Sequence, residues 1–209
     1  MAFSRQHDLT VLPDLGAGLP RGEVELVADE AHVETVVRQG MLSAQVSLDI
    51  ATADFKAMLV PTASSGGRGR RQAPSIIEHL VKLAEQGVEV RILHAGVPTG
   101  PALEQLKKAS QKHGRPRRLP LTIRRCPRLH AKAVVVDAGW LYLGSANLTG
   151  AGMGAKGATR RNFEWGVVSQ TPDLVDAVLG RFNTLWEGGH CQGCGRRDVC
   201  PVPLEEPDL

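Results

Sequence analysis

The stretch 129–150, LHAKAVVVDAGWLYLGSANLTG, gathers residue types that can transfer a phosphoryl group. His130 and Lys132 stand two apart on a segment that reads as a strand over 129–136, so both side chains leave the same face of a sheet. An imidazole attacks phosphorus at neutral pH to give a phosphohistidine, which divides one difficult displacement into two easier ones. The ammonium of Lys132 and the amide of Asn147 can hold the non-bridging oxygens, where negative charge must be stabilised during transfer. The hydroxyl of Ser145 and a backbone N–H near Gly144 offer further donors. Fixed cationic and amide donors of this kind ask for no catalytic cofactor or metal.

A hairpin must bring these groups together. Val134, Val135 and Val136 hold the first strand in the core, and Asp137, Ala138 and Gly139 form a tight turn. The return strand, 140–143, then carries Ser145 and Asn147 back to the neighbourhood of His130 and Lys132. Upstream, short strands are expected at 24–27, around Val46, Leu48 and Ile50, at 88–93 and at 121–124. Helices are expected at 31–41, from Pro74 to Gly87 with Ile76, Ile77, Leu80 and Leu83 on one face, and at 101–112. Downstream come a strand at 163–169 and a closing helix at 172–186. Helices alternating with buried apolar strands predict an α/β fold, with helices on both faces of the sheet. The reading is one catalytic domain over 1–187, with 188–209 as a cysteine-containing tail too short to be a second.

The hairpin pattern H-x-K-x4-D-x6-G-S-x-N, complete as His130, Lys132, Asp137, Gly144, Ser145 and Asn147, resembles that of the phospholipase D superfamily. Six specified positions at fixed spacing arise by chance on the order of once in 10^7 starts. The resemblance implies a mixed sheet flanked by helices, a nucleophilic His130 and a second histidine that protonates the leaving oxygen. It implies a structural role for Asp137. It also implies a downstream carboxylate that accepts from the nucleophile's other ring nitrogen, for which Glu164 in NFEWGVV is the candidate. Many members carry two motifs in one chain, whereas this chain has one. His7, His32, His79, His94, His113 and His190 lack the pattern, and His32 and His79 read as surface or boundary residues of helices. A twofold homodimer is therefore expected, its two His130 side chains facing each other across one site. The runs GSANLTGAGM and NFEWGVV also resemble the phospholipase D-like component of bacterial DISARM anti-phage defence systems. That likeness implies a defence complex with helicase and methyltransferase partners.

Charge bears on the substrate. The net charge is only +3, but basic residues cluster while acidic ones gather in the first third and at the C-terminus. Arg68, Arg70 and Arg71 in the loop SSGGRGRR, with Arg160 and Arg161, are candidate contacts to a phosphate backbone. Aromatic residues make up 4% of the chain, which argues against reading bases by stacking. No uncharged apolar stretch approaches the roughly 20 residues needed to span a bilayer, and no amphipathic membrane surface stands out. Arg5, His7 and Asp8 stand where a signal peptide needs an apolar run, so a cytoplasmic location is expected. Three function readings stay open: a largely sequence-nonspecific nuclease, a phospholipase D-type lipid hydrolase, and a catalytically silent nucleic-acid-binding subunit.

Cys191, Cys194 and Cys200 form C-x2-C-x5-C, and Cys126 is the remaining cysteine. In a reducing compartment this spacing points to metal ligation rather than disulfides. It resembles the iron–sulfur staple of AddB-type nucleases, in which one distant cysteine joins such a cluster. An iron–sulfur cluster, zinc with Cys126 or His190 as fourth ligand, and plain thiols stay open. Either metal would be structural.

Overall fold

Apolar residues two apart make strands and those three to four apart make helices, and the computed structural model follows that pattern over residues 23–60, 73–96, 100–112 and 120–200. In chain order these residues form β1 (Glu25–Ala28), a wide helical segment Val33–Gly40 tightening into Met41–Ser43, β2 (Ser47–Thr52) and α1 (Ile76–Glu85). Then come β3 (Glu89–His94), α2 (Gly100–Lys112), β4 (Leu121–Arg125), β5 (Ala133–Val136), β6 (Trp140–Gly144), β7 (Trp165–Ser169) and α3 (Pro172–Trp186). The strands build one 7-stranded sheet in the order β1-β7-β6-β5-β2-β3-β4. β2, β3 and β4 run parallel and the other neighbours antiparallel, so the sheet is mixed.

Strand alternation decides which residues join which layer. Leu48, Ile50, Val90, Ile92, Val134 and Tyr142 pack under α1, α2 and the segment Val33–Gly40. On the opposite face Ala51, Leu93 and Ala133 pack with Phe182 and Trp186 of α3, and Val135 and Leu141 with its Val175. Each such aliphatic side chain contributes about 1.5–3 kcal/mol by leaving water. α1 starts at a reciprocal cap: Glu78 N–H donates to Ser75 Oγ and Ser75 N–H to Glu78 Oε1, each at 3.2 Å. Among the described residues, no helix is long and apolar enough to cross a membrane.

The strand expected over 129–136 begins only at Ala133. Its neighbour β2 pairs as far as Ala51 with Ala133, after which Thr52 turns the chain through its Oγ1 bond to Asp54 O at 2.8 Å. Residues before Ala133 thus lose one sheet partner, although Gly144 N–H still reaches Lys132 O at 3.1 Å.

Asp137 lies at the far end of the hairpin from His130. The turn places Asp137 and Ala138 in left-handed backbone, with φ 50° and 49°, and Gly139 N–H closes it on Val136 O at 3.0 Å. The carboxylate caps the approach to β2, accepting from Val46 N–H and Ser47 N–H at 2.8 Å and from Gln45 N–H at 2.9 Å. Burial acts to raise its pKa, but the N–H groups of Ser47, Val46 and Gln45 outweigh burial and hold the carboxyl below its ordinary value. A depressed folded-state pKa gives stability that is present above the unfolded value and lost as pH falls through the folded one. Asp137→Asn keeps the shape and tolerates left-handed backbone while losing the charge. It is expected to cost about 1–2 kcal/mol at pH 7, or about 2–8 °C in Tm. The gap should close as pH falls below the ordinary carboxylate range and through the depressed folded-state value, where the wild-type carboxyl is protonated too. Equal thermal unfolding of the two proteins at pH 7 would contradict this role.

Candidate active site

The pairing scheme brings the carboxyl ends of β2, β3, β4 and β6 and the starts of β5 and β7 to one end of the sheet. Such an end, where loops diverge beyond the strands, is where open α/β sheets form their crevices. His130 lies there, exposed, on the segment entering β5. Lys132 is 7% exposed. Its Nζ donates to His130 O at 2.8 Å and lies 3.2 Å from the ring Nε2. Among the described residues, no carboxylate pairs with this ammonium. A buried cation without a counter-charge is costly, and an anion at the mouth of the site would supply one.

Asn147 follows the end of β6. Its Oδ1 accepts from Asp54 N–H at 3.0 Å and from Thr52 Oγ1 at 3.3 Å. The amide oxygen is thereby committed to the protein, and the Nδ2 hydrogens are left to donate to a ligand. Ser145 is laced to the start of β7: its N–H donates to Trp165 O at 2.9 Å and its Oγ accepts from Trp165 N–H at 3.1 Å.

Glu164, 8% exposed, stands elsewhere than expected. Its Oε2 accepts from Ser145 Oγ, and its Oε1 accepts from Asn162 Nδ2 at 2.9 Å rather than from His130. The strand order explains this, because β6 lies between β7 and β5 and puts Ser145 between Glu164 and the His130 segment. The carboxylate therefore fixes Ser145 and Asn162 in place.

Beneath Ser145 sits a network that residue spacing did not reveal. Tyr142 is fully buried, and its hydroxyl meets His32 Nε2 at 3.0 Å and accepts from Ala146 N–H at 3.3 Å. Burial pushes the tyrosine up to about 12. His32 was expected at a helix surface but is 0% exposed, and its Nδ1 lies 2.9 Å from Asp29 O. Burial lowers its pKa, against the opposing pull of Asp29 and Glu164. The only advance sign was Val36 and Val37 on the same turn-spaced face. Gly144 and Gly166 pass directly over the tyrosine. A Cβ on Gly144 would lie 2.7 Å from Gly166 Cα and closer still to the Tyr142 hydroxyl. Gly144→Ala should therefore cost about 1–3 kcal/mol and, by displacing Ser145 and Asn147, roughly 10²-fold in turnover. Wild-type turnover in that variant would show that the close approach does not position the site.

Of the candidate phosphate contacts, Arg160 is exposed, and Arg161 is ion-paired with Glu30 at 2.8 Å. Arg68, Arg70 and Arg71 lie outside the described residues. Arg125 and Arg128 border a cavity that His130 also lines, with Cys126, Cys191, Cys194 and Cys200 on its wall. Two aromatic side chains beside the site were read only as strand residues: Phe163 is 88% and Trp165 71% exposed.

Known proteins share this fold. The family model described as cardiolipin synthase, PLD-like domain, matches residues 37–186, which include β2 to β7 and every residue from His130 to Glu164. Nuc, a phospholipase D family member from Salmonella typhimurium, superposes with a TM-score of 0.56 at 19% identity, covering 80% of this chain and 95% of that one. NucT from Helicobacter pylori also gives 0.56, at 14% identity, covering 80% of this chain and 97% of that one. At such identities the likeness to both structures is one of fold. Among curated proteins, none matches the chain in sequence.

Proposed function

Because the chain belongs to the phospholipase D-like family, we propose that it is a phosphodiesterase that cleaves nucleic acid through a phosphohistidine on His130. The observation that carries this reading is the exposed imidazole 3.2 Å from a buried ammonium that no carboxylate pairs with among the described residues. In the first step the imidazole lone pair forms a P–N bond while the P–O bond to the leaving group breaks. The leaving oxygen takes a proton from a second imidazole. In the second step water attacks the phosphohistidine, the P–N bond breaks, and the water proton returns to that second imidazole. Lys132 and the Nδ2 of Asn147 hold the non-bridging oxygens through both steps.

The second imidazole comes from a second copy of the chain. Leu143, Phe163 and Trp165 form an exposed apolar flank beside the site, which suits burial against a like surface. A nucleic acid as substrate is favoured by Arg125 and Arg128 at the cavity beside His130 and by the exposed Arg160. Backbone contacts of this kind make cleavage largely sequence-nonspecific. A role in anti-phage defence, beside DNA-handling partners, fits the likeness of GSANLTGAGM and NFEWGVV noted above.

The test is a substrate panel in excess chelator: single-stranded DNA, duplex DNA, RNA and phosphatidylcholine vesicles. Nucleic acid should be cut and phosphatidylcholine left intact. Turnover of lipid alone, or nuclease activity that requires added magnesium, would overturn the reading. Binding of DNA without cutting would favour the silent-subunit reading.

A further inference from the structure

The tail beyond α3 contains little that a hydrophobic core could hold, yet it stays against the fold. Tight turns carry it back: Cys191 N–H bonds Gly188 O at 2.9 Å, Cys194 N–H bonds Cys191 O at 3.3 Å, and Val199 N–H bonds Arg196 O at 3.3 Å. At the base, Arg124 stacks over the Trp186 ring at 4.6 Å and donates to Trp186 O at 2.7 Å, which sets the direction in which the tail leaves α3. The result is that all 4 cysteines of the chain, three from the tail and Cys126 from the end of β4, line one cavity of about 290 Å³.

We propose that this cavity holds a metal centre ligated by Cys126, Cys191, Cys194 and Cys200, which fastens the tail to the segment carrying His130. Core packing accounts for Cys126, which packs against the cluster that contains Leu129, Phe182 and Trp186. It does not account for three cysteines on a tail with no core of its own. The turn from Cys191 to Cys194 has the form of a chelate loop. Gly193 takes left-handed backbone (φ 70°) so that the chain doubles back, and Arg196 N–H donates to Cys194 Sγ. An N–H bond to sulfur is the outer support that thiolate ligands commonly have.

The charges around the cavity agree. Four thiolates around a dication leave an excess of negative charge that needs cationic neighbours. Arg128 Nη1 is 3.6 Å from Cys194 Sγ, and Arg196 and Arg197 line the same wall.

Among the described residues no three His, Cys, Asp or Glu side chains are gathered closely enough to hold a metal ion, so binding must draw the thiols inward from the cavity wall. Zinc, at about 2.3 Å from each sulfur, would have to draw the four thiols together. A cubane iron–sulfur cluster would take one thiolate at each of its four iron corners, and the metal content decides between the two centres. The inference holds whether or not His130 turns over.

The test is elemental analysis and visible absorption of the full chain, purified without oxygen from cells supplied with iron and zinc. About one centre per chain is expected, with iron and sulfide in a coloured protein marking the cluster and zinc in a colourless one the single ion. Both outcomes support the site. Cys126→Ser and Cys194→Ser should each lose the metal, while His190→Ala, on the same cavity wall, should keep it. Wild-type protein with less than about a tenth of a centre per chain would overturn the proposal even if the variants failed to fold. So would a Cys126→Ser variant that kept its full complement.

Discussion

His130→Ala is expected to lower phosphodiester cleavage by on the order of 10^4-fold or more while changing DNA affinity by less than about threefold. The size of the loss follows from what remains. Ser145 Oγ is held between the Glu164 carboxylate and Trp165 N–H, and the Asn147 amide has no nucleophilic lone pair to offer. Nothing left in the site can replace the covalent step, and direct attack by water would lack the arranged geometry that makes the two-step route fast. The small effect on affinity follows because a single exposed ring contributes little to holding a polyanion, whereas Lys132, Arg128 and Arg160 contribute charge. Lys132→Ala should behave differently, losing about 10²–10³-fold in turnover together with part of the binding. Acid-labile, base-stable phosphoprotein should accumulate in rapid-quench samples of the wild type and be absent from His130→Ala. A His130→Ala protein that cleaved within about tenfold of wild type would remove His130 as the nucleophile.

How much of this was legible in the residues depends on the range of the interaction that decides each feature. α3 was readable to its ends because Pro172 and the apolar spacing through Phe182 and Trp186 are local signals. The hairpin was readable because Val134 to Val136, Asp137 and Trp140 to Leu143 give period and turn within a dozen residues. Asp137 was read as structural. Its partners Gln45, Val46 and Ser47 lie far away in sequence, and only the β2–β5 pairing brings them near. The start of β5 was misjudged for the same reason, since apolar content at Leu129 says nothing about where β2 turns away. His32 and Glu164 show the limit most clearly. Each polar group's surroundings depend on strand order, β7 beside β6 beside β5, and no spacing rule encodes that order. Exposure of Phe163 and Trp165 was hidden likewise, because an alternating strand does not say which of its faces is left uncovered.

Mixing subunits offers the second large effect. If the proton on the leaving oxygen comes from His130 of a second copy, then a dimer with one wild-type and one His130→Ala chain lacks either its nucleophile or its acid, and is silent. When equal amounts of the two chains are unfolded and refolded together, activity should fall to about a quarter of that of an all-wild-type sample at the same total concentration. Chains that work alone would give about half. The apolar flank supplies an independent handle on the same point. Trp165 is 71% exposed, so Trp165→Glu leaves the core intact and places a charge where the second copy must dock. That variant should run as a folded monomer and lose turnover by at least about 10²-fold, because its own His130 and Lys132 remain but the second imidazole is gone. A fully active monomer, together with a mixing curve linear in wild-type fraction, would place the acid within the chain itself. His94 and His190, at the β3 end and beside the cysteine cavity, would then be the residues to substitute next.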